Sequence, residues 1–481
     1  MVAFLVMCFY SRLYLRPVFF ILVAQVVLLS PSQAEALLQL SLPAAVDRAL
    51  SSNRNLAVSR MSLESDKYSV DVARAEFSPK IGPAVTLGRV GNSALFPNGG
   101  GVNNSYGVLL SKKYELGTTV YGGPAYNQAA NTSNNTFNLG VTQPLLKGLG
   151  SEVNLDGVRR AEFSAASTML RLEQAKIDMV LETISVFFEA NKQHLTIEMN
   201  EALCKKLRQH VAISRSKEKI GLAGSMDTYR AEIRLKDAED ALSRTKNAHF
   251  TLIGRLKLLM NLEQEVDIAL LSPDMPSVKI DEPELDAEKN NLELAQMQSA
   301  IEEAERVARV ADDARLPDIN LQLNYGRANR AADPLAQTLP TTDQTWSISL
   351  QSSTDLFRTA EKSNYYKAKM AVEMLRVNLQ QKKDDIKRQV RQQVLYIAAA
   401  KERSVLRLEQ IKQAEGKLAL AEVKFTHGMA DNFSVIETET ELQNARVGLL
   451  VDEIDHALGV YGLAAITGHL FDGLLQPRPT Q

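Results

Sequence analysis

The chain has 481 residues, enough for two or three ordinary domains or for one very elongated one. Its 55 Lys and Arg against 57 Asp and Glu leave a net charge of −2, which argues against a nucleic-acid surface or a polybasic membrane patch. There is no phosphate-binding glycine loop, CxxC, HExxH or nucleophile elbow, so nothing points to an enzyme.

Residues 1–34 read as a secretory signal. Arg12 and Arg16 precede an apolar run from Val18 to Leu29, and Ser32-Gln33-Ala34 supplies the small residues of a cleavage site. The run is short and broken by Gln25, which disfavours a membrane anchor. Cleavage removes Cys8 and leaves Cys204 alone, so the exported chain forms no internal disulfide. A single helical Cys is expected to pack rather than react.

A first repeat is assigned to 35–271. Leu42 to Phe77 reads as helix, opened by Ser41 and Pro43 and closed at Ser78-Pro79. A strand follows at 81–90, then polar loop chemistry over 91–105 and an irregular hairpin over 106–126. A clear strand has Phe137, Leu139 and Val141 alternating with Asn138, Gly140 and Thr142. Residues 151–220 carry no proline and a single glycine, Gly157. As one helix they would span about 105 Å. Ile177, Leu181, Ile184, Phe188 and Leu195 give it a narrow coiled-coil seam. A turn at Gly221 leads into a returning helix over 226–261.

A proline-containing linker, 272–284, separates the second repeat, 285–468, from the first; a tail, 469–481, closes the chain. The second repeat runs helix, strand (Ile319, Leu321, Leu323 and Tyr325 alternating with Asn320, Gln322 and Asn324), loop over 326–343, strand 346–351, long helix 359–426, glycine turn and returning helix 433–466. The halves superpose by number: Asn53, Pro79, Ile81 and Gly88 lie 238 positions before Asn291, Pro317, Ile319 and Gly326, and Gly221 lies 207 before Gly428. Shared order and spacing make this a duplication.

Strands apolar on one face and amide-rich on the other suit a barrel wall in lipid, and such a wall must close. One chain offers four clear strands, or six with the irregular hairpin. Three copies would supply twelve or eighteen. Residues 91–135 add strands or form an outer lid; both readings stand at this point. Long, thin-striped helices with charged, glutamine-rich outer faces would continue the barrel as a water-bathed conduit.

The chain resembles the outer membrane efflux protein family of the TolC type. The resemblance covers almost all of the exported chain. It rests on the duplicated Asn…Pro helix-to-strand unit, Thr142-Gln143-Pro144-Leu145-Leu146, its counterpart Asp355-Leu356-Phe357, and the glycine turns Lys219-Ile220-Gly221-Leu222 and Phe425-Thr426-His427-Gly428-Met429. It implies an α+β membrane protein: a trimeric transmembrane β-barrel, twelve-stranded in the family and here of four, or six, strands per chain, continued by a long periplasmic α-helical coiled-coil barrel, built from two tandem repeats. It further implies a homotrimer in outer-membrane lipid that serves a periplasmic adaptor and an inner-membrane pump or ABC exporter in tripartite efflux or type I secretion. No nucleic acid, cofactor or metal is expected.

By the same resemblance, Ile220, Gly221, Leu222, His427, Gly428 and Met429 would dock the adaptor at the periplasmic tip. Glu437 would form an acidic pore constriction, with Asp431, Glu439 and Asp227 as further candidates. Asn320, Gln322, Asn324, Asn138 and Thr142 would line the barrel lumen. Trp346, Tyr106, Tyr121 and Tyr325 would form interface girdles. The rival reading is a secreted, envelope-spanning coiled-coil structural protein without a pore.

Overall fold

The computed structural model describes residues 38–90, 101–129, 132–221, 224–276, 282–330 and 341–471. The signal assigned to 1–34 and the tail beyond 471 lie outside the described residues. In chain order the elements are β1 (Leu38–Leu40), α1 (Leu42–Ser52), α2 (Arg54–Arg74), β2 (Lys80–Val90), β3 (Gly101–Lys113), β4 (Thr119–Ala129), β5 (Thr132–Pro144), α3 (Asp156–Lys219), α4 (Ser225–Leu259) and β6 (Ile268–Leu270). The second half adds α5 (Pro283–Asn290), α6 (Leu292–Asp313), β7 (Ile319–Arg330), β8 (Thr341–Ser352), α7 (Thr359–Thr426) and α8 (Asn432–Thr467).

The helix expected from Leu42 to Phe77 is two helices, and the one expected from Leu285 is broken in the same way. Asn53 adopts an extended backbone (φ −64°, ψ 131°), and its carboxamide oxygen accepts from the N–H groups of Asn55 and Leu56 at 2.8 and 3.3 Å. Asn291 repeats this with Glu293 and Leu294 at 3.0 and 3.3 Å. Each asparagine satisfies donors that a helix start would otherwise leave orphaned. Each also donates its Nδ2 to the end of the returning helix of its own repeat, Asn53 to Leu259 O at 2.9 Å and Asn291 to Ile466 O at 3.3 Å. The duplicated Asn is therefore a cap and a tie at once.

Six strands form one antiparallel sheet in the order β2-β3-β4-β5-β7-β8. The segment left open as strands or lid is thus wall: β3 pairs with β2 from Lys80↔Ser111 to Val90↔Gly101, and β4 pairs with β5 from Thr119↔Thr142 to Ala129↔Thr132. The polar loops expected at 91–105 and 326–343 are shorter than their composition suggests, since strand pairing reaches Gly101, Arg330 and Thr341. Residues 91–100, 130–131 and 331–340 lie outside the described residues. At Gly122 and Gly123 β4 passes so close to its neighbours that a Cβ would overlap the carbonyls of Asn138 and Val108. Glycine alone permits that approach, which marks a bend in the wall.

Below the sheet the long helices run as two hairpins, α3–α4 and α7–α8. α3 has 64 residues, about 96 Å, preceded by a separate helical turn Ser151–Asn154. Its narrow seam widens in the middle: Met179, Val180, Ile184, Val186, Phe187 and Phe188 are all buried. There α1, the ends of α4 and α8, and the parallel pair β1–β6 wrap it on several sides and form the main core. Cys204 is buried and unpaired in a second cluster with Leu207, Val211 and Ile436. Burial pushes its thiol pKa up, as expected of a packing residue. No helix among the described residues is long and apolar enough to cross a membrane.

Candidate functional site

The strand register sorts every side chain of the sheet to one of two faces. Leu350, Leu321 and Gln143 lie opposite one another across β8, β7 and β5, and Ile348, Leu323, Val141 and Val120 continue the same face into β4. On β3 and β2 that face carries Leu110, Val108 and Tyr106 against Ile81, Pro83 and Val85. Leu350, Ile348, Leu323, Leu110, Val108, Tyr106, Ile81 and Val85 are exposed in the single chain, Ile81 at 73 %, as is Trp346 on the same face at 77 %. Leu321, Gln143, Val141 and Val120 are half-buried. A contiguous exposed apolar face of this extent marks contact with another apolar phase.

The opposite face is polar. Asn320, Gln322 and Asn324 on β7 share it with Asn138 and Thr142 on β5 through the pairs Thr142↔Gln322 and Gly140↔Asn324. Gln322 donates to Gln351 at 2.6 Å, and Ser105, Asn127 and Thr136 form a hydrogen-bonded row across β3, β4 and β5 at 2.7 and 3.0 Å. All five expected lumen residues thus stand on one polar surface. Of the aromatics expected as girdles, Tyr106, Tyr325 and Trp346 are on the apolar face. Tyr121 is not. It lies on the polar face over Gly140, with its hydroxyl 3.3 Å from Asn324 Oδ1. Its strand parity gives that away once the pairing is known.

At the far end, Gly221 and Gly428 turn the two helix hairpins. Both are left-handed, φ +75° and +72°, and a Cβ on either would meet open space. The Met429 N–H bonds Lys424 O at 2.8 Å and the Gly428 N–H bonds Phe425 O at 3.1 Å, which closes α7 around the left-handed residue. Ile220 and Met429 are exposed beside these turns. His427 turns its Nδ1 back to Val423 O at 2.8 Å, and Leu222 lies outside the described residues.

The acidic candidates separate cleanly. Glu437 is exposed on α8, and no ion pair reaches it among the described residues. Asp431 caps α8, accepting from the Ser434 N–H at 2.9 Å and from its hydroxyl, and those bonds hold its carboxyl below the usual range. Asp227 sits in the first turn of α4 with Arg230 at 3.9 Å. Glu439 is buried between the hairpins, so its carboxylate is committed inside the chain rather than offered to a channel. Lys206 donates to it at 2.8 Å, and His210 Nε2 lies 3.5 Å from its other oxygen. Val435, Ile436 and Leu442 are the buried side of this helix; Glu439 falls on it and Glu437 opposite.

Sequence reasoning missed the lattice around Glu439. Asn432, buried at the start of α8, donates to the His210 carbonyl at 2.9 Å and to Ser214 Oγ at 2.8 Å, while its oxygen lies 2.6 Å from His210 Nδ1. Lys217 over the Phe425 ring and Arg230 over the Phe433 ring complete a stitching of one hairpin to the other near the tips. No group of three His, Cys, Asp or Glu among the described residues comes together to hold a metal.

The comparisons with known proteins agree with this geometry. The family model for outer membrane efflux protein matches residues 45–261 and 285–469, the two repeats. No curated protein matches the chain significantly in sequence. Among solved structures, the Campylobacter jejuni CmeC outer membrane channel superposes with a TM-score of 0.70 at 14 % identity, covering 89 % of this chain and 86 % of that one. The Vibrio cholerae outer membrane protein VceC gives 0.67 at 14 %, covering 89 % and 96 %. The open state of the Neisseria gonorrhoeae MtrE outer membrane channel gives 0.65 at 16 %, covering 89 % of each. At such identities the likeness speaks for the fold.

Proposed function

The chain belongs to the outer membrane efflux protein family, the trimeric outer-membrane exit channels that work with periplasmic adaptors and inner-membrane pumps, and from that premise we propose how its parts divide the labour. The carrying observation is the single sheet with one apolar face, one polar face and two unpaired edges, β2 and β8. Those edges run in opposite directions, so β8 of one copy pairs antiparallel with β2 of the next, and three copies close the wall.

Closing the wall also assembles the helices. α2 leads into β2 and α7 leaves β8, so the seam brings α2 of one copy against α7 of another. Both carry an exposed apolar stripe at helical spacing: Met61, Tyr68 and Val72 on α2; Tyr366, Met370, Met374 and Val377 on α7. Exposed in the single chain, these stripes suit each other across the seam.

In this reading Asn320, Gln322, Asn324, Asn138 and Thr142 wet the barrel lumen. Glu437 from three copies forms the acidic constriction, because it alone among the four candidates is exposed and uncommitted. The bared backbone at Gly221 and Gly428, flanked by Ile220, Leu222, His427 and Met429, receives the adaptor. Cargo moves passively, and energy comes from the pump. Fractionation tests the assignment: a heat-labile trimer released from outer membranes by detergent is expected. A monomer released by salt would favour a pore-free structural protein instead.

A further inference from the structure

The sheet holds two strands more than the duplicated unit requires. In the second repeat β7 and β8 pair directly, from Ile319↔Ser352 to Arg330↔Thr341. In the first, the matching outgoing and returning strands are β2 and β5, and the whole hairpin β3–β4 stands between them. An antiparallel wall accepts strands only in pairs, since a single extra strand would set the closing edges parallel.

The hairpin is a full member of the wall. β3 pairs along the entire length of β2, and β4 pairs with β5 along its own entire length. Tyr106 and Val108 continue the apolar face outward, while Ser105 and Asn127 continue the hydrogen-bonded polar row inward. A lid would not show that alternation.

We infer that the trimer closes an eighteen-stranded barrel instead of the twelve-stranded one implied by the family resemblance, and that its bore passes water-soluble cargo of correspondingly larger size. Barrel diameter grows about linearly with strand number, so the bore is about 1.5 times as wide as twelve strands would make it, and walls of about this size enclose open water rather than packed side chains. The inward positions are amides, hydroxyls, glycine and alanine for most of the wall. By register, the charged positions of the inward face among the described residues are Lys80 and Lys113 at the helical end and Arg330 and Asp343 at the other. Between these two charged ends the lining is uncharged and neither concentrates nor repels ions.

This inference rests on the trimeric channel reading, and the test separates the two. In planar bilayers, neutral polyethylene glycols of graded size added on the extracellular side report the width of the barrel independently of the tip. Deleting residues 101–131, so that 91–100 join β2 to β5, should leave a detergent-stable trimer whose limiting polymer diameter falls by about a third. An unchanged limit would overturn the inference. If the deletion does not fold, strands counted in an electron-microscopy map of the wild-type trimer decide the matter: eighteen supports it and twelve overturns it. A wild-type protein that forms no trimeric pore would overturn the channel reading and this inference together.

Discussion

His210 and Glu439 face each other across the two helix hairpins, Nε2 to Oε2 at 3.5 Å, in a pocket where the glutamate side chain is only 5 % exposed. That oxygen makes no hydrogen bond of its own, while Lys206 holds the other one. Burial opposes charge on His210, but Glu439 and Asn432 outweigh it and raise its pKa above the ordinary 6.5. Burial likewise opposes charge on Glu439, and His210 and Lys206 outweigh it and lower its pKa below 4.5.

The sign of the linkage follows. The His210 contribution is full below pH 6.5 and is lost as pH rises through its raised folded value; that of Glu439 is full above pH 4.5 and is lost as pH falls through its lowered one. The tie between the hairpins is therefore strongest in mildly acidic solution. His210→Ala should lower the melting temperature of the trimer more at pH 5.5 than at pH 8. Equal losses at both values would mean that the imidazole acts by packing alone.

Asn53 and Asn291 are predicted to be sensitive uncharged polar positions. Replacing either by Ala removes a helix cap and an interhelical bond, a loss of about 1–2 kcal/mol. Asn53→Asp keeps the acceptor and loses the donor to Leu259 O, so it should not rescue. Urea unfolding of the three variants measures this, and wild-type stability in Asn53→Asp would show that the tie is idle.

The α2–α7 seam predicts that a charge in either stripe blocks assembly. Met374→Asp or Tyr68→Asp should shift the detergent-solubilised protein from trimer to monomer, because a buried unpaired carboxylate is costly. Analytical ultracentrifugation in detergent reads the outcome; trimers of normal stability would place the seam elsewhere.

Glu437→Ala should raise single-channel conductance or reduce cation preference in planar bilayers, whereas Glu439→Gln should change neither directly and act on stability. If Glu437→Ala leaves both electrical values untouched, the constriction is formed by other groups.

Gly428→Val places a branched side chain at φ +72°, a conformation that costs it about 1–2 kcal/mol, and covers bared backbone. Trimers should still form, with cross-linking to a periplasmic adaptor reduced. Undiminished cross-linking would remove Gly428 from the docking surface.

The duplication, the long helices and the alternating strands were legible because each leaves a periodic trace over many residues. The β3–β4 hairpin was harder to read. Gly122, Gly123 and Pro124 bend β4, and Leu109 stands between the outward-facing Val108 and Leu110, so the period of two is blurred there. The break at Asn53 was invisible because asparagine does not forbid a helix; only the carbonyl of Leu259, 206 positions away, makes the break worthwhile. Glu437 and Glu439 differ by two positions, and only the packing of α8 on α3 tells exposed from buried.

The paired ties at Asn53 and Asn291 fix one end of each returning helix and leave the other end some distance away. From Leu259 back to Ser225 is 35 residues, a rigid arm of about 50 Å. Swinging such an arm by about 10° around its tethered end sweeps the glycine turn sideways by roughly 9 Å, on the order of the width of a helix. A tie at Asn53 therefore bears on the position of a glycine turn about 50 Å away.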